Sequence, residues 1–203
     1  MIGLVGAHRV GKSTLAKHIA DRTGKKHVPV SISEMQKKHG YDSSRQDYPF
    51  ETRMDIQEHL LQEFTTKLVI MPSMYKIIAP TEYDEPKLVF DRTPIDLIGY
   101  TLVHVNDQLT DDQSQWLLDY IERCIKLTND CFDSVMLVQP GIPLVTENTT
   151  SAKASAGIIE HLNAIYTSYM IDPRVKSHTA ILPRDILDLD DRANYFIETF
   201  NLI

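Results

Sequence analysis

Short, fully apolar runs alternate with longer amphipathic stretches along the chain. Met1–Val5 predicts a buried strand, and His27–Val30, Lys87–Phe90, Ser134–Val138 and Thr179–Leu182 predict four more. None of these runs shows polar alternation, so each expects cover on both faces, as in a parallel sheet. Ser13–Thr23 predicts a helix with Leu15, Ala16, Ile19 and Ala20 inward, Lys17, Asp21 and Arg22 outward, and Gly24 as its stop. Ser33–His39 predicts a turn or two of helix ended by Gly40, and the polar Tyr41–Tyr48 predicts a loop. Phe50–Ile70 carries Met54, Leu61, Phe64 and Leu68 at helical spacing, whereas Pro72–Pro86, with three prolines, predicts a connection. Pro94–Val105 resumes a helix. Thr110-Asp111-Asp112-Gln113 is a capping box that opens another, with Trp116, Leu117, Tyr120, Ile121, Cys124 and Leu127 on one face. Gly157–Met170 and Asp188–Phe200 complete the set, Asp188 acting as a cap. The alternation implies an α/β fold: a five-stranded parallel sheet with helices on both faces and right-handed crossovers. Ligands of such sheets bind beyond the carboxyl ends of the strands.

A length of 203 residues fits one domain, 1–203, with Pro140–Gly157 as a candidate lid or connection. The net charge of −7 argues against a bulk basic footprint for nucleic acid. No apolar stretch has the length of a membrane span. Met1 leads straight into a strand-like run without the basic and apolar regions of a signal peptide, so the expected compartment is the cytoplasm. Cys124 and Cys131, the two cysteines, fall on one helix face about 10 Å apart, too far for a mutual disulfide.

The candidate chemistry begins directly after the first strand. Gly6-Ala7-His8-Arg9-Val10-Gly11-Lys12-Ser13 fits the pattern G-x-x-x-x-G-K-[ST], with an apolar strand before it and an amphipathic helix after it. Glycine at both ends permits backbone conformations that a Cβ would block. Successive N–H groups, including that of Val10, then point inward as an anion nest, reinforced by the helix N-terminus. In such a cradle Lys12 reaches the β- and γ-phosphates of ATP, Ser13 offers a hydroxyl to Mg²⁺, and Thr14 caps the helix or contacts the α-phosphate. Arg9 either touches the transferred phosphate or is solvated. His8 belongs to the nucleotide-binding loop, where packing is the simpler role.

Leu88-Val89-Phe90-Asp91-Arg92-Thr93-Pro94 places a second carboxylate at the tip of a buried strand. Asp91 there serves as Mg²⁺ ligand, as base for an attacking hydroxyl, or as both. Arg92 neutralises charge on the acceptor or the transferring group. Thr93 is the better-placed helix cap before Pro94. For Asp96, pairing with the helix N-terminus is the expected role.

Taken together these motifs resemble the NadR-like P-loop ATPase/kinase group, which includes small kinase-like proteins of phage genomes. The resemblance rests on Gly6–Ala16, on Phe50-Glu51-Thr52-Arg53-Met54-Asp55-Ile56-Gln57, and on Phe90-Asp91-Arg92-Thr93-Pro94-Ile95-Asp96 with Tyr100. It implies a P-loop NTPase core with strand order 2-3-1-4-5, the Asp91 strand lying beside the P-loop strand. It also implies that Arg53 and Gln57 face the acceptor; the alternative for both is a solvated helix face. Arg184, after the fifth strand, falls where related kinases contact adenine. The chain departs from the group in one respect. Lys153 is the one cation in Pro140–Gly157, where many such kinases carry several lid arginines.

The expected activity is ATP- and Mg²⁺-dependent transfer of the γ-phosphate to a nucleoside- or nucleotide-type acceptor. One alternative is the same chemistry on a modified, hydroxymethylated pyrimidine base within DNA, for which Lys25, Lys26, Lys37 and Lys38 are the candidate positive groove. Another is an ATPase or switch module acting on a protein partner, which the missing lid arginines favour. No membrane role is expected.

Overall fold

The computed structural model describes residues 1–45, 47–78, 88–105, 108–143 and 155–202. Five strands, β1 (Ile2–Val5), β2 (Lys26–Val28), β3 (Leu88–Phe90), β4 (Ser134–Val138) and β5 (His178–Leu182), form one sheet of order β2-β3-β1-β4-β5. Every pairing is parallel, with Gly3 facing Phe90 on one side and Val135 on the other. Both expectations, the parallel sheet and its order, hold. The cause is visible in burial: every residue of β1 and β3 is buried, which requires cover on both sides of the sheet.

Seven helices supply that cover: α1 (Lys12–Thr23), α2 (Ile32–Lys38), α3 (Phe50–Ile78), α4 (Pro94–Leu102), α5 (Asp111–Cys131), α6 (Ala156–Met170) and α7 (Leu189–Thr199). Helices α1 and α7 pack together, while α4 packs against α3, α5 and α6, so helices lie on both sides of the sheet. Several start signals act as the sequence anticipates. Thr110 and Gln113 form a reciprocal capping box on α5, and Asp188 accepts from the N–H groups of Asp190 and Asp191 at the start of α7.

Most boundaries fall within one or two residues of expectation, and two helix ends differ by more. Helix α3 does not stop before Pro72 but runs through it to Ile78. Pro72 forfeits one i→i−4 bond, but the helix is already held by Ile56, Leu60, Leu61, Phe64 and Leu68, all buried. Helix α4 ends at Leu102 rather than Val105. The expected lid falls largely on residues 144–154, which lie outside the described residues.

Helices α4 and α6 meet through a glycine. A Cβ on Gly99 of α4 would stand 2.1 Å from the ring of Tyr166 on α6. Glycine therefore lets the buried Tyr166 ring lie flat against α4, where its hydroxyl donates to the Asp96 carbonyl at 3.2 Å.

Candidate active site

The loop between β1 and α1 adopts the backbone that its glycines permit. Gly6 has φ +151° and Gly11 φ +85°, and a Cβ on Gly6 would meet the Val138 carbonyl at 2.6 Å. Arg9 also takes a left-handed conformation, φ 64°, without being glycine, a local strain of about 1 kcal/mol that the surrounding loop sustains. Gly11 is the N-cap of α1 and offers no side-chain bond to the first-turn amides. Those N–H groups are therefore available to an anion. Ser13 and Thr14 stand exposed on that first turn.

Lys12 is buried and curls back over the loop, donating to the carbonyls of Gly6 at 2.5 Å and Ala7 at 2.6 Å. Its ammonium lies 3.9 Å from Asp96 Oδ1, and the Arg92 guanidinium lies 3.4 Å from that same oxygen. The other carboxylate oxygen of Asp96 accepts from the Thr93 N–H at 2.8 Å. Asp96 thus does more than complement a helix end. It caps α4 with one oxygen and pairs two cations with the other, at zero exposure. Burial pushes the Lys12 ammonium down to about 7, Arg92 pushes the same way, and Asp96 and Asp91 pull back. Burial likewise raises the Asp96 carboxyl against the pull of Lys12 and Arg92.

Asp91 is buried at the end of β3 but is turned toward β2. Its Oδ1 accepts from the Val30 N–H at 2.8 Å, and its Oδ2 lies 3.4 Å from His27 Nε2. Part of its charge thus goes to joining the two strand ends. His8 is half-buried, with Nδ1 3.3 Å from the Tyr100 hydroxyl. Burial, and then the charges of Lys12, Arg92 and Arg9, hold its pKa below the ordinary histidine value. Arg92 lies 5.8 Å from the Tyr100 ring centroid.

On α3, Gln57 is buried rather than solvated, and its side-chain carbonyl accepts from the Tyr120 hydroxyl at 3.0 Å. That bond fixes which way the amide faces. Arg53, one turn earlier, donates to the Tyr48 carbonyl at 3.1 Å. Its charge reaches His104, just beyond α4, whose pKa burial and then Arg53 push down to about 4. Arg184 stands in a two-pronged ion pair with Glu160 of α6, 2.7 Å on each prong. Lys38 pairs with Glu63, and Lys25 donates to the Leu202 carbonyl.

Sequence reasoning missed three contributors. Tyr120 reads as one residue of an apolar helix face, and nothing local singles out Tyr166. Arg192 of α7 is 2% exposed, and its Nη2 donates to the Val10 carbonyl at 3.1 Å. The available signal was an arginine on the inward face of α7, beside Ala193, Phe196 and Ile197.

The residues suit a magnesium nucleotide in one way. Among the described residues no group of three or more His, Cys, Asp or Glu forms a protein cage for a metal. Mg²⁺ bound with phosphates needs only one or two protein oxygens, and the exposed Ser13 hydroxyl beside the cradle meets that need. Of the buried acids nearby, Asp96 carries its charge on Lys12 and Arg92, and Asp91 retains unused lone pairs.

His104 carries a stability consequence. Its folded pKa of about 4 lies below the ordinary 6.5, so between these values the unfolded chain binds more protons. Stability from this group is full above 6.5 and is lost as pH falls toward about 4. After discounting for solvent at the ring, the loss is about 1–2 kcal/mol. Melting curves at pH 7.5 and pH 4.5 should show a smaller acid-induced drop in His104→Gln than in the parent protein. An equal drop in both would refute a buried, neutral His104.

A glycine-bounded anion nest at the carboxyl end of β1, in a parallel sheet of order 2-3-1-4-5, defines a P-loop NTPase fold. The AAA domain family matches residues 1–167, most of the chain, and the protein belongs to that family. No curated protein matches it. Among solved structures, deoxyadenosine kinase from M. mycoides with bound dCTP is similar at a TM-score of 0.60 and 18% identity, covering 100% of this chain and 99% of that one. The same enzyme with bound dATP gives a TM-score of 0.52 at 17% identity, with 98% of each chain covered. The YorR protein from Bacillus subtilis, in complex with phosphorylated GDP, gives 0.50 at 16% identity over 99% of this chain and 95% of that one. At these identities the likeness is one of fold.

Proposed function

We propose that the protein is a kinase that transfers the γ-phosphate of ATP to a nucleoside- or nucleotide-type acceptor. The observation that carries this reading is the convergence of Lys12 and Arg92 on one buried oxygen of Asp96 beside the glycine cradle. Two fixed cations at that point suit the charge that develops on a transferring phosphoryl group. The cradle binds the donor phosphates through the first-turn N–H groups of α1. Lys12 would leave the Gly6 and Ala7 carbonyls for phosphate oxygens, a stronger, charge-assisted pairing. Asp96 keeps the two cations in register without touching the donor, and Thr93 holds Asp96 in turn. Mg²⁺ supplies charge neutralisation on the phosphates when bound, with Ser13 as its protein ligand and Asp91 as second candidate.

On the acceptor side, the reading assigns a base edge to Gln57, and the orientation of its amide by Tyr120 supports this. Arg53 and the neutral His104 lie near each other, suited to sugar or phosphate oxygens. Asp91, with lone pairs left unused by its contacts, then serves as proton acceptor for the attacking hydroxyl. Fold likeness to a deoxyadenosine kinase supports the same reading.

The test is incubation with γ-labelled ATP and Mg²⁺ against nucleosides, nucleoside monophosphates and hydroxymethylpyrimidine DNA. Label should appear on a nucleoside or nucleoside monophosphate. Label on DNA alone would move the acceptor to a base within the duplex. Phosphate release indifferent to every acceptor would replace the kinase by an ATPase or switch.

A further inference from the structure

Arg192 is a buried charge that neither the cradle motif nor the acceptor side accounts for. It projects from α7 onto the P-loop, 2% exposed, with Nη2 on the Val10 carbonyl at 3.1 Å. Its Nε has no hydrogen-bond partner among the described residues. A Cβ on Gly11 would stand 3.1 Å from its Nη1 and equally close to Ile142, so the guanidinium lies against the peptide that opens α1. An arginine in this setting costs desolvation and, among the described residues, returns one carbonyl bond, a poor exchange for stability alone.

The peptide it holds explains the expense. The Val10 carbonyl and the Gly11 N–H belong to one trans peptide unit and point in opposite directions. Gly11 has φ +85°, where the backbone rotates at little cost and no side chain restrains it. With the carbonyl pinned toward α7, the N–H of that peptide faces away from α7.

We infer that Arg192 is a positioning residue of the phosphate cradle, fixing the Val10–Gly11 peptide and placing a positive charge behind it. The inference rests on the reading of Gly6–Ser13 as a nucleotide site. The α1–α7 contact does not depend on Arg192: His18 meets Asp190 at 2.7 Å and Arg22 donates to Asn194 at 2.7 Å. Removal of the guanidinium should therefore leave the packing intact.

ATP affinity, read by displacement of a fluorescent ATP analogue with Mg²⁺ present, separates this role from a structural one. Arg192→Met should raise the Kd for ATP about tenfold. Its melting temperature without nucleotide should equal or exceed the parent's, because a poorly compensated buried charge has gone. Arg192→Lys, which restores a charged donor, should recover part of the affinity. An Arg192→Met protein that binds ATP within twofold of the parent overturns the inference and leaves the nucleotide site standing. Loss of the folded state in that variant overturns it too, by making Arg192 structural. A folded parent protein that binds no nucleotide removes the cradle reading and this inference together.

Discussion

Lys12→Ala should lower phosphoryl transfer about 10²–10³-fold while leaving the fold intact. Lys12 folds back over the glycine nest, and its ammonium now rests on two loop carbonyls and one shared carboxylate oxygen. None of these contacts is hard to give up. Burial already drives its pKa down to about 7, so the charged form gains little from its present surroundings. With Lys12 removed, Asp96 keeps Arg92 and the Thr93 N–H as partners, so the variant is expected to fold. Donor phosphates would reverse the balance by supplying the negative charge that Lys12 lacks. Lys12→Arg should not rescue, since the planar guanidinium does not fit a pocket formed by the Gly6 and Ala7 carbonyls. ADP formation in a coupled assay gives the rate, and circular dichroism confirms that the variant is folded. Parent-level turnover in a folded Lys12→Ala protein would remove Lys12 from the chemistry and, with it, the assignment of the cradle.

What could be read from the sequence divides along a physical line. Features carried by neighbours in sequence were legible. The apolar runs marked all five strands, the glycine spacing marked the cradle, and Thr110, Gln113 and Asp188 marked helix starts. Strand order came from resemblance, since a parallel sheet leaves no local trace of which strand lies beside which. Features set by tertiary contact were hidden. Pro72 reads as a helix stop because local preference rules it out of a helix interior, and only the anchoring of Leu60, Phe64 and Leu68 overrides that preference. Gln57 and Arg53 share one face of α3, but that Tyr120 turns the Gln57 amide depends on how α5 crosses α3. Asp96 reads as a first-turn acid, and it is one. Its second role depends on β1 lying beside β3, which brings Lys12 to its free oxygen.

That second role makes Asp96→Ala the most destabilising single change expected at the site. The carboxylate has zero exposure, and it is the shared partner of Lys12 at 3.9 Å and Arg92 at 3.4 Å. Removing it also strips the Thr93 N–H of its acceptor at the start of α4. Breaking a buried ion pair from one side costs about 3–5 kcal/mol, which in a chain of this size lowers the melting temperature on the order of 10 °C. The two orphaned cations do not suffer equally. Lys12, already pushed down to about 7, escapes by shedding its proton near neutral pH. Arg92 has no such escape, because a guanidinium stays protonated in a protein, so most of the penalty falls on it. Asp96→Ala combined with Arg92→Met should therefore be more stable than Asp96→Ala alone, by about half the loss or more. Asp96→Asn, which keeps an acceptor for Thr93 but no charge, should fall between the parent and Asp96→Ala. Urea unfolding of the parent, both single substitutions and the double variant measures each step as a double-mutant cycle. Simple additivity of the two substitutions would show that Asp96 stabilises α4 as a cap alone and does not hold the cations of the site.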